Sequence, residues 1–152
     1  MPELATPVDD GYCIGCGQDS AIGLKMRFEV DDDNSVHSTV TVPQPFQGWR
    51  DVVHGGVVAL VLDEAMAYAA GAQGYLGVTA ELKLRFRKAV PVGEPLVVRG
   101  NVLWQRRNVF GIEATICDAA GTLLASAEAS FVSRGKLAPG QRLGELQARV
   151  GG

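Results

Sequence analysis

The chain has 152 residues, of which 47% are hydrophobic and 20% are charged, and this size suits a single domain with one substantial core. Its net charge of −3 excludes a general nucleic-acid binder. We expect none of the apolar runs to be long enough to span a bilayer, so the sequence predicts no membrane span. The N-terminus is acidic and lacks the apolar core of a signal peptide, so a cytoplasmic location is expected.

The first segment, residues 1–12, is predicted to be a flexible leader, and residues 13–134 the globular domain. Cys13-Ile14-Gly15-Cys16-Gly17 then reads as a tight turn. Two cysteines at this spacing resemble half of a zinc site, but no second Cys/His pair follows. A redox function would require a strand–helix–strand context, which is also missing. The pattern therefore favours a structural turn and predicts no metal ligands.

Two strands are predicted next, over residues 23–30 and 35–42, because apolar and polar residues alternate in both. The polar stretch Asp31-Asp32-Asp33-Asn34-Ser35 lies between them and indicates a hairpin turn. Residues 43–53 contain Pro, Gly, Phe46 and Trp49 and are expected to form an ordered loop. For both aromatic side chains, core packing is favoured over lining an acyl pocket.

Residues 54–70 predict one helix that is apolar on nearly every face and ends near residues 71–74. Such a helix belongs inside a protein. Asp63 and Glu64 interrupt it, and we expect at least one of these carboxylates to meet apolar neighbours and to have a shifted pKa. The helix opens with Gly55 and Gly56, whose free N–H groups are expected to face a ligand.

Four further strands are predicted over residues 78–88, 95–105, 109–118 and 122–133. The first alternates strictly, with Leu82, Leu84 and Phe86 on one face and the basic residues on the other. The order β-β-α-β-β-β-β predicts an α+β fold in which an antiparallel sheet curls around the helix. Residues 135–152 form a C-terminal extension, in which the spacing of Leu143 and Leu146 fits a short helix.

This element order resembles the hotdog-fold acyl-CoA thioesterases, most closely the phenylacetyl-CoA and hydroxybenzoyl-CoA thioesterase type. The resemblance covers about residues 13–132. It depends on the order and spacing of several motifs, namely Cys13-x-x-Cys16-Gly17, Phe46-Gln47-Gly48, His54-Gly55-Gly56, Leu62-Asp63, Gly77-Val78-Thr79 and Pro91-Val92-Gly93-Glu94-Pro95-Leu96. It implies a hotdog fold.

The resemblance also assigns positions in the site. Asp63 lies where the family has its catalytic carboxylate, and Thr79 where members hold the attacking water. Gly55 lies where a backbone N–H polarises the thioester carbonyl. Gln47 matches an Asn or Gln that several relatives carry in the loop before the helix. The chemistry of a carboxylate allows two roles for Asp63. It can act as a general base, or as a nucleophile that forms a mixed anhydride.

For other residues the sequence allows two possible roles. His54 is either an anchor for the helix start or a catalytic group. Glu64 is more consistent with a structural or interface role than with catalysis, and with Gly56 it is placed near the substrate. Arg85, Arg87 and Lys88 are candidate ligands of the coenzyme A phosphates, because Arg makes forked contacts to phosphate, and Lys83, Arg106 and Arg107 are further candidates. The alternative for these cations is a solvated strand face that protects a sheet edge.

Helix geometry adds a prediction about assembly. His54 and Asp63 are nine residues apart, so a helical rise separates them by about 13 Å on roughly opposite sides. One thioester carbonyl cannot contact both ends within one chain. Two subunits must then contribute, with Asp63 of one facing the Gly55 end of the other, as in a two-fold homodimer or a homotetramer.

The predicted function is an acyl-CoA thioesterase that needs no metal or organic cofactor. A hotdog enoyl-acyl hydratase or dehydratase is the alternative enzyme, since that chemistry pairs a His with an acidic helix residue. A non-catalytic acyl-CoA-binding protein is the third reading. Residue types do not specify the acyl group.

Overall fold

One helix lies against a curved sheet of seven strands in the computed structural model, which describes residues 8–137 and 146–147. The elements in chain order are β1 (Phe28–Val30), β2 (Val36–Thr41), α1 (Gly55–Ala72), β3 (Tyr75–Phe86), β4 (Pro95–Arg106), β5 (Val109–Asp118), β6 (Leu123–Lys136) and β7 (Leu146–Gln147). Across the sheet the order is β3-β6-β5-β4-β2-β1-β7. The first six strands pair antiparallel, so the predicted α+β order β-β-α-β-β-β-β is confirmed.

The central helix α1 forms the core, as its apolar sequence predicts. Its buried side chains include Val61, Leu62, Met66 and Tyr68. By length and composition α1 is apolar enough to cross a membrane, which corrects the expectation that no run is long enough, but 50% of it is buried within the chain. A core helix of a globular protein has these same properties.

One stripe of α1 is covered less completely than the rest. Ala59, Leu60, Asp63 and Ala67 recur at helical spacing on one face and are only half-buried. The polar group in the middle of this stripe, Asp63, therefore lies at a boundary between the core and the outside of the chain.

The predicted first strand is too long. Only its last three residues form β1, and β1 pairs with β2. The preceding segment instead bonds to the cysteine turn, with Leu24 N–H donating to the Ile14 carbonyl and Met26 N–H to the Gly15 carbonyl, both at 2.9 Å. An alternating sequence fits a strand only where another strand is free to pair with it.

Strand β3 is an edge of the sheet, because β6 pairs with one side of it and no described strand pairs with the other. Leu82 and Leu84 pack against the core, whereas Lys83 and Arg85 are exposed on the outer face. Phe86 also lies on the side of the sheet that faces α1, beside Gly55, as predicted, although it is 57% exposed at the end of the strand. A twelve-residue strand with a free edge is a template for pairing with another chain.

The backbones of the helix and the sheet come close together at Gly100 of β4. A Cβ at this position would lie 2.3 Å from the Ala65 carbonyl oxygen of α1. Only glycine lets the strand pass this close to the helix backbone. This contact sets the distance between α1 and the sheet at Ala65, two residues after Asp63.

The predicted C-terminal extension, residues 135–152, is described at residues 135–137 and at Leu146–Gln147. Strand β6 continues to Lys136, past the predicted domain end at residue 134, and Leu146–Gln147 form β7 and pair parallel with β1. These two residues are therefore strand, where the spacing of Leu143 and Leu146 suggested a helix. The remainder of that predicted helix, Leu143 included, and most of the predicted leader lie outside the described residues.

Candidate active site

The middle of α1 and the start of β3 bring Asp63 and Thr79 together. The Thr79 hydroxyl donates a hydrogen bond of 2.6 Å to Asp63 Oδ1. That length is typical of a hydroxyl bonded to a charged carboxylate. Both residues are half-buried, so the second oxygen of Asp63 is held in a fixed direction next to the free edge of β3. The arrangement can orient a carboxylate towards a water molecule or an electrophile.

His54 caps the N-terminus of α1. Its Nδ1 accepts a hydrogen bond of 2.9 Å from the Gly56 N–H. The same bond fixes the proton of a neutral imidazole on Nε2. The structure therefore places His54 as the anchor of the helix start, the first of the two readings. It also occupies the Gly56 N–H, which the sequence had placed near a substrate.

The first turn of α1 leaves one N–H group without an acceptor. Val57 and Val58 both donate to the His54 carbonyl, at 2.9 and 3.0 Å. Gly56 donates to the His54 ring, so in the described part of the chain only the Gly55 N–H of this turn makes no hydrogen bond. This N–H carries the positive end of the helix dipole and is exposed. It can bind an anion or a polarised carbonyl oxygen.

A groove of about 760 Å³ opens in front of this N–H. Its apolar walls include Val53, Val58 and Val90, and its lining includes His54, Gly55, Trp49, Phe86, Arg87 and Lys88. The ring of Phe86 would lie 3.7 Å from a Cβ added at Gly55. The groove therefore combines an apolar channel, one unpaired N–H donor and two cations.

Gln47 supports the loop beside the groove. Its Oε1 accepts a hydrogen bond of 3.2 Å from the Asp51 N–H, and Asp51 has a positive φ of 63°. A side-chain acceptor stabilises such a left-handed residue. Gln47 itself does not line the groove, which begins at the next residue, Gly48.

The two halves of the candidate site are separated within one chain. Gly55 and Asp63 are eight residues apart on α1, which corresponds to about 12 Å along the helix axis. Asp63 is absent from the lining of the groove that contains Gly55. The structure thus unites Asp63 with Thr79, and Gly55 with Arg87 and Lys88, but not the two groups with each other.

Comparison with known proteins assigns the family. The sequence profile of the thioesterase superfamily matches residues 51–125. A solved structure described as a thioesterase superfamily protein is 31% identical in sequence, with a TM-score of 0.78, and the match covers 86% of this chain and 68% of that one. This chain belongs to the thioesterase superfamily. A search of curated proteins returned no match.

Two further solved structures share the fold at lower identity. The E. coli PaaI protein, from the phenylacetic acid degradation operon, is 21% identical with a TM-score of 0.69, over 75% of this chain and 83% of that one. A hypothetical thioesterase of Streptococcus pneumoniae TIGR4, solved with coenzyme A, is 20% identical with a TM-score of 0.66, over 68% and 84%. The structural similarity confirms the predicted hotdog fold.

Glu64 of this thioesterase superfamily member faces away from the Asp63–Thr79 pair. It accepts a hydrogen bond of 3.1 Å from Cys13 Sγ, in the turn that contains Cys16. Burial raises the pKa of Glu64, and its thiol neighbours and the Asp63 charge modify that shift. The expected carboxylate with a shifted pKa is thus Glu64. Its contacts match the structural reading.

The predicted phosphate ligands divide between two surfaces. Arg87 and Lys88 line the groove, and Arg87 also borders the outer-face hollow that Arg85 shares with Glu113 and Glu128. Strand alternation predicts Arg85 and Arg87 on one face, but β3 ends at Phe86, so Arg87 and Lys88 lie beyond the strand and are not held to its alternation.

Sequence reasoning missed two groove residues. Trp49 was expected in the core but is 85% exposed and lines the groove. Tyr68, by contrast, is buried in the core, where its ring stacks on that of Phe28 with centroids 4.3 Å apart. Phe86 was predicted on the same face as Leu84 and lies there, but its place in the groove was not predicted. The loop position of Trp49 was the available signal for its exposure, whereas the exposure of Phe86 follows from its position at the strand end.

Proposed function

We propose that the chain hydrolyses an acyl-CoA thioester to a free acid and coenzyme A. The observation that carries this proposal is that α1 presents two complementary groups. One is Asp63, oriented by the 2.6 Å hydrogen bond from Thr79, and the other is the unpaired Gly55 N–H at the start of the helix. Thioester hydrolysis requires an activated nucleophile and an oxyanion donor. The site contains one group of each kind.

In the proposed reaction, water attacks the thioester carbonyl carbon while Asp63 accepts its proton. The carbonyl oxygen becomes an oxyanion that the Gly55 N–H stabilises, and the carbon–sulfur bond then breaks to release the coenzyme A thiolate, which takes up the proton. Direct attack by Asp63, through a mixed anhydride, requires the same placement of both groups. Thr79 fixes the carboxylate in either case.

A second copy of the chain is proposed to complete the site. If the free edge of β3 pairs antiparallel with the same edge of another copy, about a two-fold axis between Leu82 and Lys83, then Thr79 lies opposite Phe86 of the partner subunit. Phe86 lies beside Gly55. Asp63 of one subunit then faces Gly55 of the partner subunit, and the dimer has two equal sites. The half-buried stripe of α1 would be covered by the same contact.

The relatives support the choice of Asp63 and Thr79. In two further structures of the Streptococcus pneumoniae hypothetical thioesterase, an aspartate and a threonine have each been replaced by alanine. The two replaced residues have the same separation along the chain as Asp63 and Thr79. That protein has also been solved with coenzyme A. By extension, coenzyme A is the proposed leaving group here.

Arg87 and Lys88 are the proposed ligands of the coenzyme A phosphates, because they line the groove at the Gly55 end. Replacing both by Ala is expected to raise KM while kcat changes little, since phosphate binding acts equally on substrate and transition state. Arg106→Ala is the matched control, because Arg106 ends β4 at the opposite end of the sheet. An equal rise in KM for the control would contradict the assignment.

The main test measures free thiol release from a panel of aromatic, short-chain and medium-chain acyl-CoA substrates. Asp63→Asn keeps the size of the side chain and removes its charge, and we expect turnover to fall by at least about 100-fold. Glu128→Gln is the control, because Glu128 is an exposed carboxylate on the outer face of the sheet. Equal activity of Asp63→Asn and the wild type would contradict the role of Asp63. No release from any substrate would contradict the hydrolase proposal, and hydration of an enoyl-CoA would then support the alternative enzyme.

A further inference from the structure

The turn at Cys13–Cys16 and the side chain of Glu64 form a compact cluster on the side of α1 away from Thr79. The two Sγ atoms and a carboxylate oxygen of Glu64 all lie within 4.8 Å of one another. Tetrahedral zinc with bonds of about 2.0 to 2.3 Å separates such atoms by about 3.4 to 3.8 Å. Cys13 Sγ and Glu64 Oε1 are 3.1 Å apart and no pair is separated by more than 4.8 Å, so shifts of about 1 Å bring the cluster to that geometry. The sequence pattern missed it because the third group is 48 residues after Cys16 and belongs to the central helix.

We propose that Cys13, Cys16 and Glu64 bind one zinc ion, which ties the N-terminal turn to α1. Two thiolates and a carboxylate suit zinc, a borderline-soft ion, and do not suit Mg²⁺ or Ca²⁺, which take oxygen ligands. On binding, each thiol loses its proton to solvent, so two protons are released for each zinc ion bound. This site is independent of the thioesterase proposal, because none of its ligands takes part in hydrolysis.

The backbone of the turn is arranged to support a thiolate. The Gly15 N–H donates to Cys13 Sγ at 3.3 Å, and such a donor stabilises the charged form of sulfur. The Gly17 N–H closes the turn on the Cys13 carbonyl at 2.8 Å. A Cβ at Gly15 would lie 2.3 Å from Glu64 Cγ, so glycine is what lets the turn reach the carboxylate. Both cysteines are thereby directed towards one point.

The metal-free cluster holds protons where the ion would bind. Cys13 Sγ donates to Glu64 Oε1 at 3.1 Å, so a proton bridges two atoms that zinc would share. Cys16 is buried and Glu64 is half-buried, so negative charges on these two neighbouring groups are disfavoured without a nearby positive charge. A divalent cation at the centre of the cluster supplies that charge.

A fourth ligand position is open to solvent or to a neighbouring carboxylate. The cluster borders a cavity of about 450 Å³ whose lining includes Asp9, Asp10 and Tyr12. Asp9 is close enough to Glu64 for its charge to raise the pKa of Glu64. Either Asp9 or a water molecule can therefore complete four-coordination, and zinc can enter through the cavity.

The test uses the full chain, stripped with a chelator and kept reduced with a phosphine, and titrated with Co²⁺ as a coloured substitute for zinc. We expect one Co²⁺ per chain with thiolate charge-transfer absorption, which zinc then displaces. Cys16→Ser is expected to abolish that absorption. Glu64→Gln is expected to weaken binding by more than about 10-fold, because the loss of even an outer-shell partner costs about 10- to 100-fold. Cys117→Ser is the matched control and should bind like the wild type.

A second measurement needs no variant. Zinc is expected to protect Cys13 and Cys16 of the wild-type chain from alkylation, read by peptide mass spectrometry, while the modification of Cys117 is unchanged. No metal uptake by the reduced wild type, equal alkylation with and without zinc, or undiminished Co²⁺ absorption in Cys16→Ser would each overturn the site. Equal affinity in Glu64→Gln would remove Glu64 from it and leave no third ligand, which also overturns the proposal.

Discussion

Replacing Gly55 by Pro removes the one N–H group that the proposed reaction needs and little else. Proline is favoured at the first position of a helix, where its missing N–H has no intrahelical partner. The residue before a proline prefers extended backbone, and His54 already has φ −55° and ψ 137°. The Gly56 N–H remains bonded to the His54 ring. The fold should therefore accept Gly55→Pro.

The expected loss of activity follows from the role of this donor. Among described groups of the first turn, only the Gly55 N–H lacks an acceptor, so no neighbour can replace it at the oxyanion. Removing one oxyanion-hole donor costs about 2.7 to 4 kcal/mol, or about 100- to 1,000-fold in kcat. Stability should change in the other direction, with a gain of up to about 1 kcal/mol, because proline restricts the unfolded chain.

The assay compares kcat and KM for thiol release in the wild type, Gly55→Pro and Gly55→Ala. Gly55→Ala is the control for bulk, because it keeps the N–H and its Cβ makes only an ordinary 3.7 Å contact with the Phe86 ring. Loss of the donor lowers kcat, whereas obstruction of the groove by the proline ring raises KM. Thermal unfolding of each variant checks that the fold is retained.

A folded Gly55→Pro variant with kcat within about threefold of the wild type would refute the assignment of the oxyanion donor, since that factor corresponds to less than 1 kcal/mol. An equal loss of kcat in Gly55→Ala would also refute it, because that variant keeps the N–H. In the second case the groove, and not the hydrogen bond, would limit the reaction.

The remaining predictions concern assembly, positioning and packing. Co-expressed Asp63→Asn and Gly55→Pro chains should recover about one quarter of wild-type activity, because half of the dimers are mixed and each has one intact site; no recovery would contradict a shared site. Thr79→Val should lower kcat/KM by about 10- to 150-fold, from a charge-assisted hydrogen bond of about 1.5 to 3 kcal/mol, whereas Thr79→Ser should stay near wild type. Equal losses in both Thr79 variants would show that the hydroxyl does not matter. Gly100→Ala should lower Tm by several degrees in thermal unfolding, because overpacking against the Ala65 carbonyl costs about 1 to 3 kcal/mol; an unchanged Tm would show that α1 can move away freely.

Much of the fold follows from local patterns. The apolar stretch that becomes α1 and the alternating stretches that become β3 to β6 were predicted with small errors in their ends, because burial of one face leaves a period in the sequence. The first strand was predicted too long, since the same alternation occurs where residues 23–27 bond to the cysteine turn and not to a strand. The carbonyls that Leu24 and Met26 bond, those of Ile14 and Gly15, leave no signal in the alternation of residues 23–27.

The candidate site shows the same division. Residue type favoured Asp63 and the free N–H of Gly55, and the family resemblance added Thr79; these are the groups whose geometry in the structure suits the proposed chemistry. The same reasoning could not distinguish His54 as a cap from His54 as a catalyst. That choice depends on which atom its ring contacts, and the contact with the Gly56 N–H exists only once the helix has formed.

The sequence by itself determined the order of the elements, the burial of α1 and the residue types available for chemistry, because each is recorded in local periodicity and composition. Only the tertiary structure decided which of the two adjacent carboxylates faces Thr79 and which faces the cysteines. Asp63 and Glu64 differ by about 100° around the helix axis, so each meets a different distant segment. Those segments, residues 13–16 and Thr79, reach α1 from opposite parts of the chain, and their positions are set by packing that no local pattern contains.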